Sequence, residues 1–377
     1  MSAPPIPGVS SPPPRLHGAN RLRNFWQRVS EGRQIDDLWS QFAADARSSY
    51  GFYDREVDWD EIHKLPRWRR PLHVAKEFFW ALLLKMSPAR RVLLLLAFVL
   101  LVMSAGKSAM NYEVIAVMLF VLLLSLELAD KVTMKRDLEI AREIQTWLVP
   151  SQPPEVAGAN IAFATRPQNS VAGDYYDAFY PDPEDREKLM LVIADVAGKS
   201  VPAALLMATL QASLRTIAPE NAPLADLVAR LNRYACAHSL NGLRFTTAVL
   251  SEYNPTSRRL TYVNAGHNAP ILRHANGAVE TLEVGGLPLG IHLDHNYETA
   301  SLELRPGDAL IFFTDGVVEA FNESGEEFGN ERWLSAIRDL PDWDAQQTLQ
   351  FLMRRVDEFV GATRQSDDIT CLVFRSR

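Results

Sequence analysis

Cysteine is nearly absent from this sequence: Cys236 and Cys371 are the only two in 377 residues. Two thiols cannot build a disulfide framework or a cysteine-based zinc site, and their scarcity fits a reducing compartment. A basic excess is missing as well. Lysine and arginine number 39 against 46 aspartates and glutamates, a formal charge of -7, so the chain offers no basic surface for nucleic acid and nucleic-acid binding is disfavoured. The beginning of the chain lacks the early apolar core of a signal peptide. Its first 14 residues instead hold six prolines among small residues, the composition of an extended, disordered tail. No internal repeat is visible. What is present describes a folded protein, because 47% of the residues are hydrophobic and 23% charged, over a length sufficient for two domains.

After the tail (residues 1–23), the apolar positions from Phe25 to Phe42 suit short amphipathic helices, and residues 24–90 are expected to form an N-terminal cytoplasmic helical region. Trp68-Arg-Arg-Pro71 and Phe78-Phe-Trp80 have an interfacial character, since aromatic rings and snorkelling cations sit well at headgroup level. Two uncharged apolar blocks follow, Val92–Ala105 and Val114–Leu126. Each falls short of the roughly 20 residues that span a bilayer, and both lengthen if Lys107 and Glu113 snorkel at the far interface. They are apolar all round rather than on one face, which favours a two-helix transmembrane hairpin over residues 91–129 above a buried soluble hairpin. Arg69, Arg70, Lys85, Arg90 and Arg91 precede it and Lys131, Lys135 and Arg136 follow it, placing both flanks in the cytoplasm of a multi-pass inner-membrane protein.

The helical pattern continues through a juxtamembrane linker helix (residues 130–150), with Met134, Leu138, Ala141 and Leu148 in one stripe and Ile140, Ile144 and Trp147 broadening it. Such a helix packs on its own domain or pairs with a second copy in a parallel coiled coil, making a homodimer; the spacing favours neither. Pro150, Pro153 and Pro154 end it.

From residue 151 onward short strands dominate: Ile161–Thr165, Lys188–Ala194, Phe245–Tyr253, Arg259–Asn264, Ala269–Arg273, Tyr297–Leu304, Ala309–Thr314 and Ile369–Phe374. Helical patterns interrupt them at Pro202–Ile217, Leu224–Ser239 and Glu331–Val360. The expected fold is α+β, with antiparallel sheets and covering helices.

The chemistry lies in four acidic sites. Val192-Ile-Ala-Asp195-Val-Ala-Gly198 is an apolar run that delivers one carboxylate to its end before a glycine turn. Ala172-Gly173-Asp174 and Ile311-Phe-Phe-Thr-Asp315-Gly316 share that grammar, and Asp367-Asp368 stands directly before a strand. Aspartates at strand ends with no cysteine or histidine cluster suggest hard, oxygen-seeking Mg²⁺ or Mn²⁺. Two such ions bridged by a carboxylate make a water nucleophilic at neutral pH and neutralise a phosphoryl group, which suffices for phosphate ester hydrolysis. Asp195 is the natural bridging ligand, and the Val196 carbonyl can add a further oxygen.

Ala141-Arg-Glu-Ile-Gln145, Val171-Ala-Gly-Asp-Tyr-Tyr-Asp177, Asp195-Val-Ala-Gly-Lys199, Pro202-Ala-Ala-Leu-Leu-Met207, Asn264-Ala-Gly-His-Asn268, Thr314-Asp-Gly-Val317 and Asp367-Asp-Ile-Thr370 occur in an order that resembles the SpoIIE/RsbU-like branch of the metal-dependent PPM protein phosphatases. The resemblance runs from about residue 138 to the C-terminus. It implies a β-sandwich flanked by helices over residues 151–377 and the removal of phosphate from phosphoserine or phosphothreonine. It also implies a phosphorylated protein substrate, an anti-sigma-factor antagonist in a partner-switching pathway. By the same resemblance Asp174 and Asp195 hold one Mn²⁺ or Mg²⁺, Asp195, Asp315 and Asp367 hold the other, and Asp368 substitutes for or assists Asp367. Asp174, Asp195 and Asp315 would then be catalytic through a metal-activated water. Two positions depart from the family pattern: Ala172 and Ser200 stand where glycine is usual. Neither Ala nor Ser enters positive φ as freely as Gly, so loop geometry and metal affinity are the properties at stake. The rival from another class is a metal-free scaffold, a phosphatase fold retained to bind a phosphoprotein.

Other polar residues invite blander readings. His267 is expected to be a hairpin-turn residue satisfying backbone groups rather than a catalyst. Arg166 is expected to be a surface charge. Gly198-Lys199-Ser200 mimics the end of a phosphate-binding loop, but Ile193 stands where that motif needs glycine, which rejects nucleotide binding. Leu205, Leu206 and Leu210 are expected in the core.

Overall fold

The structure is a computed structural model that describes residue 66 and residues 70–104, 111–220, 222–238 and 244–377. The proline-rich tail, the part of the expected region 24–90 before residue 70 apart from residue 66, and the hairpin turn with Lys107 lie outside the described residues. The chain divides between Ala129 and Asp130 into two units.

The described part of the first unit is helical: α1 (Arg70–Lys85), α2 (Pro88–Ser104) and the opening turns of α3 (Tyr112–Leu148). Proline begins α2, where its missing N–H has no partner to lose. Leu83, Leu94 and Leu123 form a small buried cluster, and Arg90 pairs with Glu127 at 3.0 Å. Most other apolar side chains face outward, with Val102 73% and Leu124 69% exposed. By length and composition, two described helices could cross a membrane, Tyr112–Leu148 and Val201–Glu220. The 17 residues of α2 extend about 25 Å, short of a hydrocarbon core of roughly 30 Å. The hairpin is therefore not established by these helices. With no glycine or proline between residues 112 and 148, the second apolar block and the linker run as one helix of 37 residues.

The second unit is a sandwich of two five-stranded sheets in which every pairing is antiparallel. One sheet has the order β1-β10-β9-β6-β7, the other β2-β3-β4-β5-β8. The strands are β1 (Ala159–Arg166), β2 (Tyr175–Phe179), β3 (Leu189–Val196), β4 (Thr246–Asn254), β5 (Arg259–Ala265), β6 (Ile271–Arg273), β7 (Val279–Thr281), β8 (Ala300–Glu303), β9 (Ala309–Phe313) and β10 (Ile369–Ser376). Side chains alternate between faces along a strand, and β3 uses both. Leu191 and Ile193 join Phe312, Leu372 and Phe374 between the sheets, while Met190, Val192 and Ala194 meet α4 (Val201–Ile217) and α5 (Leu224–Ala237). On the other sheet Phe313, Val373 and Cys371 pack with α7 (Gly329–Arg338) and α8 (Ala345–Val360) around the fully buried Trp333. Each large apolar side chain so enclosed contributes about 1.5–3 kcal/mol. Asp344 and Gln347 open α8 with a capping box. The layers run helix, sheet, sheet, helix, the expected α+β architecture.

Several local expectations change. β2 and β7 were hidden, β2 because its carboxylate Asp177 breaks the apolar alternation. The helical stretch Glu331–Val360 is two helices, interrupted around Pro341 and Asp342. Asp315 opens a one-turn helix, α6 (Asp315–Val318), rather than a simple turn. Leu205 is 63% exposed, so of the three leucines expected in the core only Leu206 and Leu210 pack against it.

Candidate metal centre

Register assembles the acidic residues. β2 pairs with β3 so that Tyr175 faces Ala194, which brings Asp174, one residue earlier, to the strand end that carries Asp195. On the other sheet Phe313 of β9 faces Cys371 of β10, and Thr314 N–H donates to the Thr370 carbonyl at 3.0 Å. Asp315 and Asp367-Asp368 therefore leave their strands at the same end. Thr314 joins the sheets, its Oγ1 donating to Asp174 Oδ2 at 2.9 Å.

Close backbone approaches lock the arrangement. A Cβ on Gly316 would stand 1.9 Å from the Asp368 carbonyl oxygen, so only glycine lets α6 lie against the loop before β10. A Cβ on Gly173 would be 3.2 Å from the Val196 carbonyl and 3.6 Å from Asp195 Oδ1, which puts both expected oxygen donors beside the Asp174 turn. Gln145 near the end of α3 grips Ala172 in both directions: its Nε2 donates to the Ala172 carbonyl at 2.7 Å and its Oε1 accepts the Ala172 N–H at 2.9 Å.

The cluster is electrostatically unhappy as a set of bare carboxylates. Burial, then the charges of Asp315, Asp367 and Asp368, push Asp195 up to about 7. Burial and Asp195 hold Asp174 well above the usual carboxylate range, against the hydroxyl hydrogen bonds of Thr370 and Thr314. Asp315 is raised by burial and by Asp367. Buried anions in mutual repulsion call for a compensating cation. Lys199 supplies a partial one, its Nζ lying 3.0 Å from Asp367 Oδ2 and 3.0 Å from the Ser366 carbonyl.

Oxygen-only donors, carboxylates with a backbone carbonyl, fit hard Mg²⁺ or Mn²⁺. Among the described residues no three acidic, histidine or cysteine side chains close on a single point in a way that could hold an ion. Asp367 faces Lys199 instead. Asp368 uses both oxygens on backbone, accepting Gln168 N–H and Gly173 N–H at 2.6 Å each. That occupation makes it the tie between the loop at residues 168–173 and β10.

The remaining polar residues sort themselves. His267 Nδ1 lies 2.8 Å from Thr247 Oγ1, and burial lowers its pKa to about 4, so the ring is neutral. Backbone satisfaction in that turn belongs to Asn264, which accepts His267 N–H at 2.7 Å and donates to its carbonyl at 3.0 Å; the turn role expected for His267 passes to its neighbour. Arg166 is a half-exposed charge paired with Asp357. Ser200 adopts φ 65° and ψ -145°, backbone that is essentially glycine's alone, so the departure at this position is borne as strain. Sequence reasoning missed Thr314 and Thr370 as supports, and it missed the pairing of the buried Asp177 with Arg215. The Asp177 end was visible inside its motif, whereas nothing local marks Arg215.

The fold agrees with what the chain resembles. Residues 185–377 match the family model of Stage II sporulation protein E (SpoIIE), and the chain belongs to that family of PPM-type (PP2C) phosphatases, in its RsbU-like branch. Asp195, Asp315, Asp367 and Asp368 fall inside the matched segment and Asp174 before it. Phosphoserine phosphatase RsbU of Bacillus subtilis is 30% identical over 192 residues, 51% of this chain and 56% of RsbU. Protein IcfG of Synechocystis is 28% identical over 283 residues, 67% of this chain and 44% of IcfG. The chain thus spans about half the length of the curated relatives it matches. Among solved structures, the SiaA-PP2C domain of Pseudomonas aeruginosa superposes with a TM-score of 0.57 at 22% identity, covering 66% of this chain and 99% of that one. The PP2C domain of SpoIIE from Bacillus subtilis gives 0.52 at 20% identity, covering 59% and 64%. These two likenesses concern the fold.

Proposed function

We propose that this chain is a membrane-anchored, metal-dependent phosphoprotein phosphatase that hydrolyses phosphoserine or phosphothreonine on an anti-sigma-factor antagonist. The observation that carries the chemistry is the convergence of Asp174 and Asp195 from one sheet with Asp315 and Asp367 from the other, at one end of the sandwich. Asp174 and Asp195 would hold one divalent ion and Asp195, Asp315 and Asp367 the second, with the Val196 carbonyl as a further donor. Two bound ions supply a water made nucleophilic at neutral pH and neutralise the phosphoryl charge. The chain's own part is orientation: Thr314 aims Asp174, Asp368 and Gly173 pin the loop, and Gly316 admits α6.

Anchoring is supported by the outward apolar faces of α2 and α3, which in water would form an exposed apolar surface far beyond what monomers tolerate. The domain boundaries follow: a membrane hairpin over 91–129, a linker over 130–150 and the phosphatase domain over 151–377. In the linker, Leu138, Ala141 and Leu148 are half-buried, whereas Ile140, Ile144 and Trp147 are 45%, 49% and 80% exposed. That second stripe suits pairing with another copy, and the Gln145 grip on Ala172 gives the linker a direct hold two residues from Asp174. The linker is regulatory on this reading, and unchanged phosphatase rates after Leu138 and Ile144 are made charged would count against it.

The test is hydrolysis of p-nitrophenyl phosphate and of phosphorylated antagonist proteins by the full chain in detergent, with and without Mn²⁺. Metal-dependent turnover that disappears in Asp195→Asn supports the assignment. The scaffold reading is favoured by one observation, the lack of a closed trio of ligands among the described residues; binding of a phosphoprotein with no turnover at saturating Mn²⁺ would select it.

A further inference from the structure

We propose that Lys199 is a tethered counter-ion that competes with the second divalent cation for Asp367, so that the two ions of the centre bind with unequal affinity. The inference rests on the metal-centre reading above and adds to it which site is the weaker and why.

Three observations carry it. The Lys199 ammonium commits two of its three N–H donors to the loop that bears Asp367, one to Asp367 Oδ2 and one to the Ser366 carbonyl, each at 3.0 Å. The backbone that carries it turns sharply: Gly198 takes φ 116°, open to glycine, and Ser200 takes a strained φ 65° with no capping hydrogen bond from its side chain to offset it. Asp367, a member of the expected trio with Asp195 and Asp315, closes with no two other acidic groups among the described residues on a point that could hold an ion.

The other cations near this loop point elsewhere. Arg244 Nη1 lies 3.4 Å from the Ala197 carbonyl, Arg166 is paired with Asp357, and Arg364 is exposed. Among the described residues no lysine or arginine is paired with Asp174 or Asp195, whereas an ion that uses Asp367 must first displace Lys199. The displaced side chain stays charged and close, and its repulsion lowers the affinity of that site alone.

The experiment is Mn²⁺ binding to the full chain in detergent, followed by the electron paramagnetic resonance signal of free Mn²⁺, with no substrate and no turnover. Wild type should show a tighter and a weaker site. Lys199→Met keeps the aliphatic stem at a position whose side chain is 56% exposed, and it should tighten the weaker site about fivefold, the upper range for a partly exposed ion pair, leaving the tighter site unmoved. Lys199→Arg should behave like wild type, and Arg364→Met should change nothing. Asp367→Asn should abolish the weaker site, and in that background Lys199→Met should be silent. A Lys199→Met protein that binds as wild type does, or one that tightens both sites equally, overturns the proposal while leaving the metal centre intact. Failure of both proteins to bind Mn²⁺ at all overturns the metal-centre reading, and the proposal with it.

Discussion

Arg215 clasps Asp177 through two N–H bonds of 2.8 Å, while Tyr175 OH donates to the same carboxylate at 2.6 Å. Asp177 is fully buried in β2, and the guanidinium sits 3.8 Å over the Phe179 ring. The pair bolts α4, which begins just after Ser200, to the strand that begins just after Asp174. Its two halves are not equivalent, because the Arg215 side chain is 39% exposed and reaches water. Arg215→Met strands a buried carboxylate and should cost about 3–5 kcal/mol; Asp177→Asn frees a cation that can hydrate and should cost about 1–2 kcal/mol. Denaturant melts that rank the two variants the other way would refute this asymmetry.

Gly316 has no room for a methyl group, since the obstacles 1.9 Å and 2.9 Å away are the backbone oxygen and carbon of Asp368. Gly316→Ala must push α6 from the loop and carry Asp315 away from Asp367. The expected result is a loss of Mn²⁺-dependent hydrolysis of at least about a hundredfold, as for misplaced catalytic groups. The accompanying loss of stability should be about 1–3 kcal/mol. Full activity in this variant would mean that Asp315 is not part of the working centre.

Ser200 gives the opposite case, a place where glycine should help. Its φ of 65° with ψ of -145° costs about 1–3 kcal/mol for a residue with a Cβ, and the greater freedom of glycine in the unfolded chain returns about 0.5–1 kcal/mol of that. Ser200→Gly should stabilise the protein by about 1 kcal/mol, seen as a higher melting temperature. A lower one would show that the serine hydroxyl has a role in the turn.

His267 makes the protein acid-sensitive. Burial lowers its pKa to about 4 from an ordinary 6.5, so between those values the unfolded chain takes up a proton that the folded one refuses. Stability from this group is complete above about pH 6.5 and falls as the pH drops toward 4, by about 3 kcal/mol in all at 1.36 kcal/mol per unit. His267→Gln should remove that part of the pH dependence. Melting curves of both proteins between pH 4.5 and 7.5 provide the check, and parallel curves would show that the ring charges freely in the fold.

Much of this molecule could be read before folding it. Eight of the ten described strands announce themselves as short apolar runs between turn residues, three of the four acidic sites stand out as an aspartate with a glycine one or three residues away, and the fourth as a pair of aspartates directly before an apolar run. β2 escaped because Asp177 sits fully buried in its middle, a placement tolerated only through Arg215, 38 residues later. A separation of 27 residues likewise conceals Gln145 as a partner of Ala172. Leu205 was misread for a different reason: helical periodicity gives a helix an apolar stripe, but which edge of that stripe meets the sheet depends on how the helix is docked.

The sequence by itself settled the ingredients: the apolar alternation, the proline and glycine breaks, the all-oxygen donor set and the family motifs, each a property of a few neighbouring residues. Only the tertiary structure decided who meets whom. Antiparallel register carried Asp174 to Asp195 and Asp315 to Asp367, and close packing turned Gly316 into a necessity. Charge acting through space gave Lys199 to Asp367, and burial, then the neighbouring carboxylates, raised Asp195 to about 7. Register, contact and Coulomb energy depend on distance between atoms, and separation along the chain does not report that distance.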